Sequence, residues 1–309
     1  MLAGTALAGA LPAPAAKDEA SALRYQRDRK FVATSFGRIS YVERGAGAIA
    51  LFLHGFPLSN FQWRDAMDML SAHRHCIAPD MMGLGRTEVA AGQEVTPAAQ
   101  AEMLAVFLDR LGIRRVDLIA NDSGGAVAQL FMTRYPGRVR SLLLTNCDVE
   151  ADSPPAAVLP IIDLARAGIY PELYLEPWLL DKNVARAENG LGGWCYSRPG
   201  RPTDAALEQY LRPLVETPER KALVNAYTLG LAPNPLAGIA DKLRACKVPT
   251  RIVWGMSDGI FSNRNPDYLA GLLPNLTGIR RIEQAKLFFP EEYPSLIAEE
   301  ARRLWHEKA

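Results

Sequence analysis

What most limits the fold of this chain is a rhythm. From residue 30 onward, short apolar runs alternate with segments whose apolar residues recur at helical spacing. "AIALFLHG" (48–55), "RRVDLIA" (114–120), "VRSLLLTN" (139–146) and "PTRIVWG" (249–255) are such runs, and they suit strands buried on both faces. "NFQWRDAMDMLSAH" (60–73), "SGGAVAQLFMTRYP" (123–136) and "TPAAQAEMLAVFLDRLG" (96–112), capped by Thr96, are helical. Strands alternating with helices predict an α/β class, with a mostly parallel sheet and helices on both faces. "KFVATSF" and "RISYVERG" predict a hairpin around Gly37.

The rhythm stops near residue 150. Residues 151–237 are rich in Pro, Tyr, Trp and Leu and read as helices without strands. It then resumes with strand "PTRIVWG", helix "NPDYLAGLLPN", strand "GIRRIEQ" and helix "PSLIAEEARRLWHE". The expected organisation is a core of residues 21–150 and 238–309 interrupted by a helical cap over 151–237. A formal net charge of +1 and the lack of a basic block argue against a nucleic-acid partner. No apolar run is long enough to span a bilayer.

The first residues, "MLAGTALAGALPAPAAKDEA", are small and apolar, with Ala13-Pro14-Ala15 ahead of Ala16. They are similar to the apolar region and cleavage site of a signal peptide without its basic start, which would place the protein in the periplasm or outside the cell. The other reading of residues 1–20 is a disordered Ala/Pro tail on a cytoplasmic protein. Cys76, Cys147, Cys195 and Cys246 show neither a CxxC pair nor metal spacing and are expected to be buried thiols. No metal or organic cofactor is implied.

The chemistry concentrates in "LIANDSGGAVAQLF" (118–131), a strand running through a sharp turn into a helix. Such an elbow needs small residues two before and two after its tip, because the helix packs close to the strand. With Asp122 as the tip those residues are Ala120 and Gly124. Making Ser123 the tip would put Asn121 at the first small position. Asp122 as a simple helix cap is the competing reading. Upstream, "FLHGFP" ends another strand. In an elbow architecture the N–H groups of Phe56 and Ser123 would then form an oxyanion hole, with His54 supporting the loop.

"HGFP", "FQWRD", "HCIAPDMMGLGRT", "ANDSGG" and "RIVWGMSD" together resemble the α/β-hydrolases, specifically the branch of haloalkane dehalogenases and epoxide hydrolases. The resemblance covers roughly residues 30–305 and implies the α/β-hydrolase fold. It implies an Asp nucleophile at Asp122, which forms an ester with a carbon bearing halide or epoxide oxygen. It also implies an orienting acid at Asp258 and a His that activates water. At the position of that His, in "EQAKLFFPEEYP", stands Leu287. Such a base contributes roughly 10²- to 10⁴-fold, so its loss strikes the ester-hydrolysis step. Two halide donors found in dehalogenases are also replaced, by Ser123 and Phe56. Trp63, Trp178, Tyr174 and Tyr196 are expected to line a substrate pocket, and Trp194 with them. The cap tyrosines Tyr170, Tyr174, Tyr196, Tyr210 and Tyr227 are candidate proton donors.

Three functions follow. The first is a hydrolase acting on a small, largely apolar molecule with a non-standard water base, taken from Asp258, a cap carboxylate or the "PEEYP" turn. The second uses Asp122 as a general base in a lyase or isomerase reaction. The third is a ligand-binding pseudoenzyme.

Overall fold

In the computed structural model the described residues run from 14 to 306. Among the described residues nine strands form one sheet, eight of them in the order β1-β2-β4-β3-β6-β7-β8-β9, with β5 paired to β2 off this path. They are β1 Lys30–Thr34, β2 Gly37–Arg44, β3 Ile49–Leu53, β4 His75–Pro79, β5 Glu88–Val89, β6 Val116–Ala120, β7 Val139–Thr145, β8 Thr250–Gly255 and β9 Leu276–Ile282. β1, β2 and the two-residue β5 pair antiparallel, and from β4 to β9 the sheet is parallel. The central strands β3, β6 and β7 are buried almost throughout, as their continuous apolar runs require.

Helices α2 (Arg64–Leu70), α3 (Pro97–Arg110) and α4 (Ser123–Arg134) belong to the first half of the core, and the C-terminal helix α7 (Pro294–Leu304) packs on α2, β7 and β8. Between β7 and β8 the chain forms helices and no named strand among the described residues. The longest of these are α5 (Asp204–Val215) and α6 (Pro218–Leu229), which pack on each other. This helical segment is termed the cap below. Gly37 takes φ 119 at the tip of the β1–β2 hairpin, where a Cβ would lie 2.0 Å from the Glu88 carbonyl oxygen. A residue without a side chain is required there.

The N-terminal segment departs from expectation. A helix, α1, runs from Pro14 to Asp28, so its first residues belong to the fold rather than to a tail. The signal-peptide reading of residues 1–13 lies outside the described residues. Asp18 is buried and receives Arg64 on both oxygens, each at 3.0 Å. From the cap, Arg201 reaches it at 3.3 Å and the Thr203 hydroxyl at 2.9 Å. Arg64 also meets Glu291 at 2.8 Å and donates to the Tyr210 hydroxyl at 3.3 Å. One buried guanidinium therefore ties α1, α2, the cap and the segment after β9 together. Removing one partner of such a buried pair typically costs about 3–5 kcal/mol.

Candidate active site

The parallel strands bring four loop ends to one edge of the sheet, where ligands of open α/β sheets bind. β6 delivers Asp122, whose φ of 56 and ψ of −136 lie in the left-handed region that side chains avoid. Holding a non-glycine residue there costs of order 1–3 kcal/mol and persists only when the surroundings impose it. They do so here. The Asp122 N–H donates to Asn146 O at 2.7 Å, and its carbonyl accepts the Gly125 N–H at 2.7 Å. A Cβ on Gly124 would lie 2.6 Å from the His54 carbonyl oxygen, and one on Gly125 would lie 2.3 Å from Cys147 Cβ. The tip is thus Asp122 and not Ser123. Nor is Asp122 an ordinary N-cap, which is extended and accepts from the second or third N–H of the helix. Its carboxylate accepts instead from Ser123 N at 2.5 Å and Phe56 N at 3.2 Å.

The loop after β3 is built around that carboxylate. A Cβ on Gly55 would fall 2.5 Å from Asp122 Cβ, so a glycine lets Phe56 N approach. His54 is buried. Its Nε2 accepts the Met81 N–H at 3.0 Å, which leaves the proton on Nδ1, 2.9 Å from Gly55 O. Burial holds its pKa down, so it is a neutral support and not a base facing the site. Gly55 N donates to Gln62 Oε1 at 3.1 Å, and Gln62 Nε2 donates to Asn121 Oδ1 at 2.7 Å. Asn121 Nδ2 in turn donates to Leu287 O at 3.1 Å. The loops after β3, β6 and β9 are therefore cross-linked by amide side chains.

On the other side, Asp258 follows β8. Its Oδ2 accepts from Asn146 Nδ2 at 2.7 Å and its Oδ1 from Ile260 N at 2.8 Å. Burial raises its pKa to about 6. Leu287, after β9, is buried and lines the same cavity as Asp122. The two acids of the "PEEYP" turn face elsewhere. Glu291 meets Arg64 and accepts the Tyr196 hydroxyl at 2.6 Å, while Glu292 accepts from Ser197 N at 2.9 Å and Arg198 N at 3.0 Å.

The cavity itself measures about 60 Å³. Phe56, Asp122, Ser123, Trp178, Trp194 and Leu287 are among its walls, as are Tyr170, Asp148 and Cys195. None of its lining residues is a His, Lys or Arg. A larger outer recess of about 470 Å³ shares Ile161, Trp194 and Ile260 with it and carries Lys286 on its wall. Three expected pocket residues are placed differently. Trp63 is buried in the core against Phe52, ring centres 5.6 Å apart, because its 3₁₀ turn packs inward. Tyr196 is fixed to Glu291, and Tyr174 lines the outer recess only. Among the cap tyrosines, Tyr227 donates its hydroxyl to Ser123 Oγ at 2.9 Å and stacks on Phe56. All four cysteines are buried and unpaired.

Two buried carboxyls therefore face one apolar cavity. Burial holds the Asp122 pKa well above the usual carboxylate range, and the charges of Asp148 and Asp258 push the same way against the two N–H donors. Burial likewise lifts Asp148 to about 6, opposed by the Ser153 hydroxyl. Asp148, in "CDVEAD", was not singled out in the sequence. Its distance of a few residues from the end of β7, on the edge that carries the elbow, was the available signal.

Residues 51–292 match the family model of the alpha/beta hydrolase fold. The chain belongs to that family. Within it, this hydrolase-fold chain is similar to haloalkane dehalogenase 2 of Mycobacterium tuberculosis, 27% identical over 286 residues, which covers 89% of this chain and 93% of the relative. It is also 27% identical over 238 residues to epoxide hydrolase 3 of Mus musculus, covering 72% of this chain and 61% of that protein. Among solved structures, the epoxide hydrolase CorEH superposes with a TM-score of 0.73 at 22% identity, over 90% of this chain and 98% of that one, a likeness of fold. The α/β-hydrolase chain thus resembles dehalogenases and epoxide hydrolases, and no helix among its described residues is long and apolar enough to cross a membrane.

Proposed function

We propose that this chain is a hydrolase in which Asp122 attacks an electrophilic carbon of a small, largely apolar substrate, and that the resulting ester is then hydrolysed. The observation that carries this reading is the strained backbone of Asp122, which sets its carboxylate against the N–H groups of Phe56 and Ser123 at the wall of an apolar cavity. Strain of this kind is retained where a group must be presented. Phe56 N holds Oδ2 and Ser123 N holds Oδ1, so when water adds to the ester carbonyl the oxygen that becomes the oxyanion keeps an N–H donor beside it. Relatives named as haloalkane dehalogenases and epoxide hydrolases support a carbon bearing halide or a strained ring oxygen as the point of attack. In this reading Leu287 stands where the water-activating His of the branch would be, with Asp258 behind it.

The test is intact mass after incubation with a panel of alkyl halides and epoxides, with Asp122→Asn as control. An adduct or turnover that the control lacks supports the reading. Equal turnover by the control ends it.

One observation favours a second reading. A carboxyl whose proton affinity is raised by burial and by neighbouring carboxyls is a stronger base than a free one. Asp122 acting as a general base in an elimination or isomerisation needs no ester. Single turnover in ¹⁸O-water separates the two, because only hydrolysis of an ester at its Cγ places the label in Asp122.

A further inference from the structure

A nucleophile and two N–H donors do not complete ester hydrolysis, because water must also lose a proton. Four of the carboxyls near Asp122 are candidates, Asp258, Glu291, Glu292 and Asp148, and their surroundings differ. Asp258 has a hydrogen bond on each oxygen, from Asn146 and Ile260, and is not on the cavity wall. Glu291 is held by Arg64 and Tyr196. Glu292 is held by the N–H groups of Ser197 and Arg198. Asp148 alone of the four lines the cavity together with Asp122.

Its placement follows from the sheet. β6 and β7 run parallel, with Ala120 opposite Leu144. Asn146 O accepts the Asp122 N–H, and Asp148 comes two residues later. The Ser153 hydroxyl donates to Asp148 Oδ1 at 2.8 Å, which fixes the rotation of the carboxyl. Gln129 Nε2 donates to Asp148 O at 2.8 Å and holds its backbone. A carboxyl buried on an apolar wall is costly to a fold unless it is hydrogen-bonded or paired with a charge.

We infer that Asp148 is the base that takes a proton from the hydrolytic water, a role that rests on the reading of Asp122 as nucleophile. In the first step an Asp122 oxygen bonds to the substrate carbon, and the carbon–leaving-group bond breaks with its electron pair going to the leaving group. In the second, water adds to Asp122 Cγ. Its proton passes to Asp148, and the former carbonyl oxygen takes the negative charge beside its own N–H donor, Phe56 N at Oδ2 or Ser123 N at Oδ1. Collapse breaks the bond from Cγ to the alcohol oxygen, and Asp148 returns the proton to that oxygen. Asp122 is left as the acid and gives up its proton. An alkyl halide and water thus become an alcohol, a halide ion and a proton. With an epoxide, the opened ring oxygen takes that last proton and the product is a diol. The raised pKa of Asp148 suits a base of this kind.

The experiment uses the full chain with 1-bromobutane and 1,2-epoxybutane as probes, read by intact mass and by product release. Wild type, Asp122→Asn, Asp148→Asn and the double variant Asp148→Asn/Leu287→His are compared. Asp148→Asn keeps an acceptor for Ser153. It is expected to form one equivalent of adduct on Asp122 at close to the wild-type rate and to release it roughly 10²-fold more slowly or worse. In the double variant the imidazole should restore release. If Asp148→Asn releases product at the wild-type rate while Asp122→Asn is dead, the inference falls and the nucleophile stands. Asp148→Asn that forms no adduct, with no rescue by Leu287→His, also overturns it, since the carboxyl is then structural. If the wild type gives neither adduct nor product with either probe, or Asp122→Asn turns over normally, the nucleophile reading fails and takes this inference with it.

Discussion

On the β3–β6 side of the site, the groups around Asp122 are held by backbone: N–H donors from Phe56 and Ser123, and carbonyls that forbid a side chain at Gly124. On the β8–β9 side the scaffold is equally well held, with Asp258 bonded to Asn146 and the Leu287 carbonyl bonded to Asn121, yet the side chain it presents is a hydrocarbon. Under the proposed hydrolase reading, the contrast teaches that forming an ester and releasing it are separable demands on the fold. The first rests on a strained turn that cannot be altered piecemeal. The second rests on one side chain, and any carboxyl or imidazole within reach can supply it.

The sharpest way to break this contrast is Asp122→Asn, expected to lower turnover by about 10⁴-fold or more, measured as product formed per enzyme. If activity survives, the β3–β6 side is not the reactive one. Next comes Leu287→His, expected to speed ester release by roughly 10²- to 10⁴-fold where release limits turnover. Burst kinetics read it directly, and an unchanged steady state would mean that the β8–β9 side is not deficient.

The pH profile separates the two sides. Asp122 attacks as a carboxylate and its pKa is raised, so adduct formation should climb with rising pH. In its proposed role Asp148 acts as a carboxylate, and burial pushes it up to about 6, so release should fall about tenfold per unit below that value. In Asp148→Asn the adduct limb should move to lower pH, because a negative neighbour of Asp122 is gone.

Stability gives smaller effects. A carboxyl whose folded pKa is raised binds its proton more tightly when folded, so its penalty is absent below the unfolded value near 3.8 and complete above about 6. Asp148→Asn should therefore stabilise the fold at pH 8 by up to about 3 kcal/mol and by nothing near pH 3, as urea unfolding at both values will show. Gly124→Ala should cost about 1–3 kcal/mol through contact with the His54 and Leu53 carbonyls. If it costs nothing, the elbow is looser than its hydrogen bonds imply.

Much of this was legible in the sequence, and for physical reasons. Strands buried on both faces must be apolar throughout, so β3, β6, β7 and β8 stand out as runs. The elbow has a spacing of small residues because backbone meets backbone there, as the contacts of Gly124 bear out. What stayed hidden depends on distant partners. Asp18 looked like part of a tail because Arg64, its counter-charge, lies 46 positions away. Asp148 did not stand out because the cap that buries it comes later in the chain. Trp63 and Tyr196 are aromatic and close in sequence to site loops, but sequence does not say which face of a turn points inward.

The arginine that joins α1 to the cap also marks where this chain can be cut. Shortening it ahead of Lys17 leaves every charge around Arg64 in balance. Shortening it past Asp18 removes a carboxylate that two arginines and a threonine share, and two of those three residues, Arg201 and Thr203, belong to the cap. A fusion partner or protease site placed on the near side of residue 18 is a handle. On the far side it is a lever on the roof of the pocket.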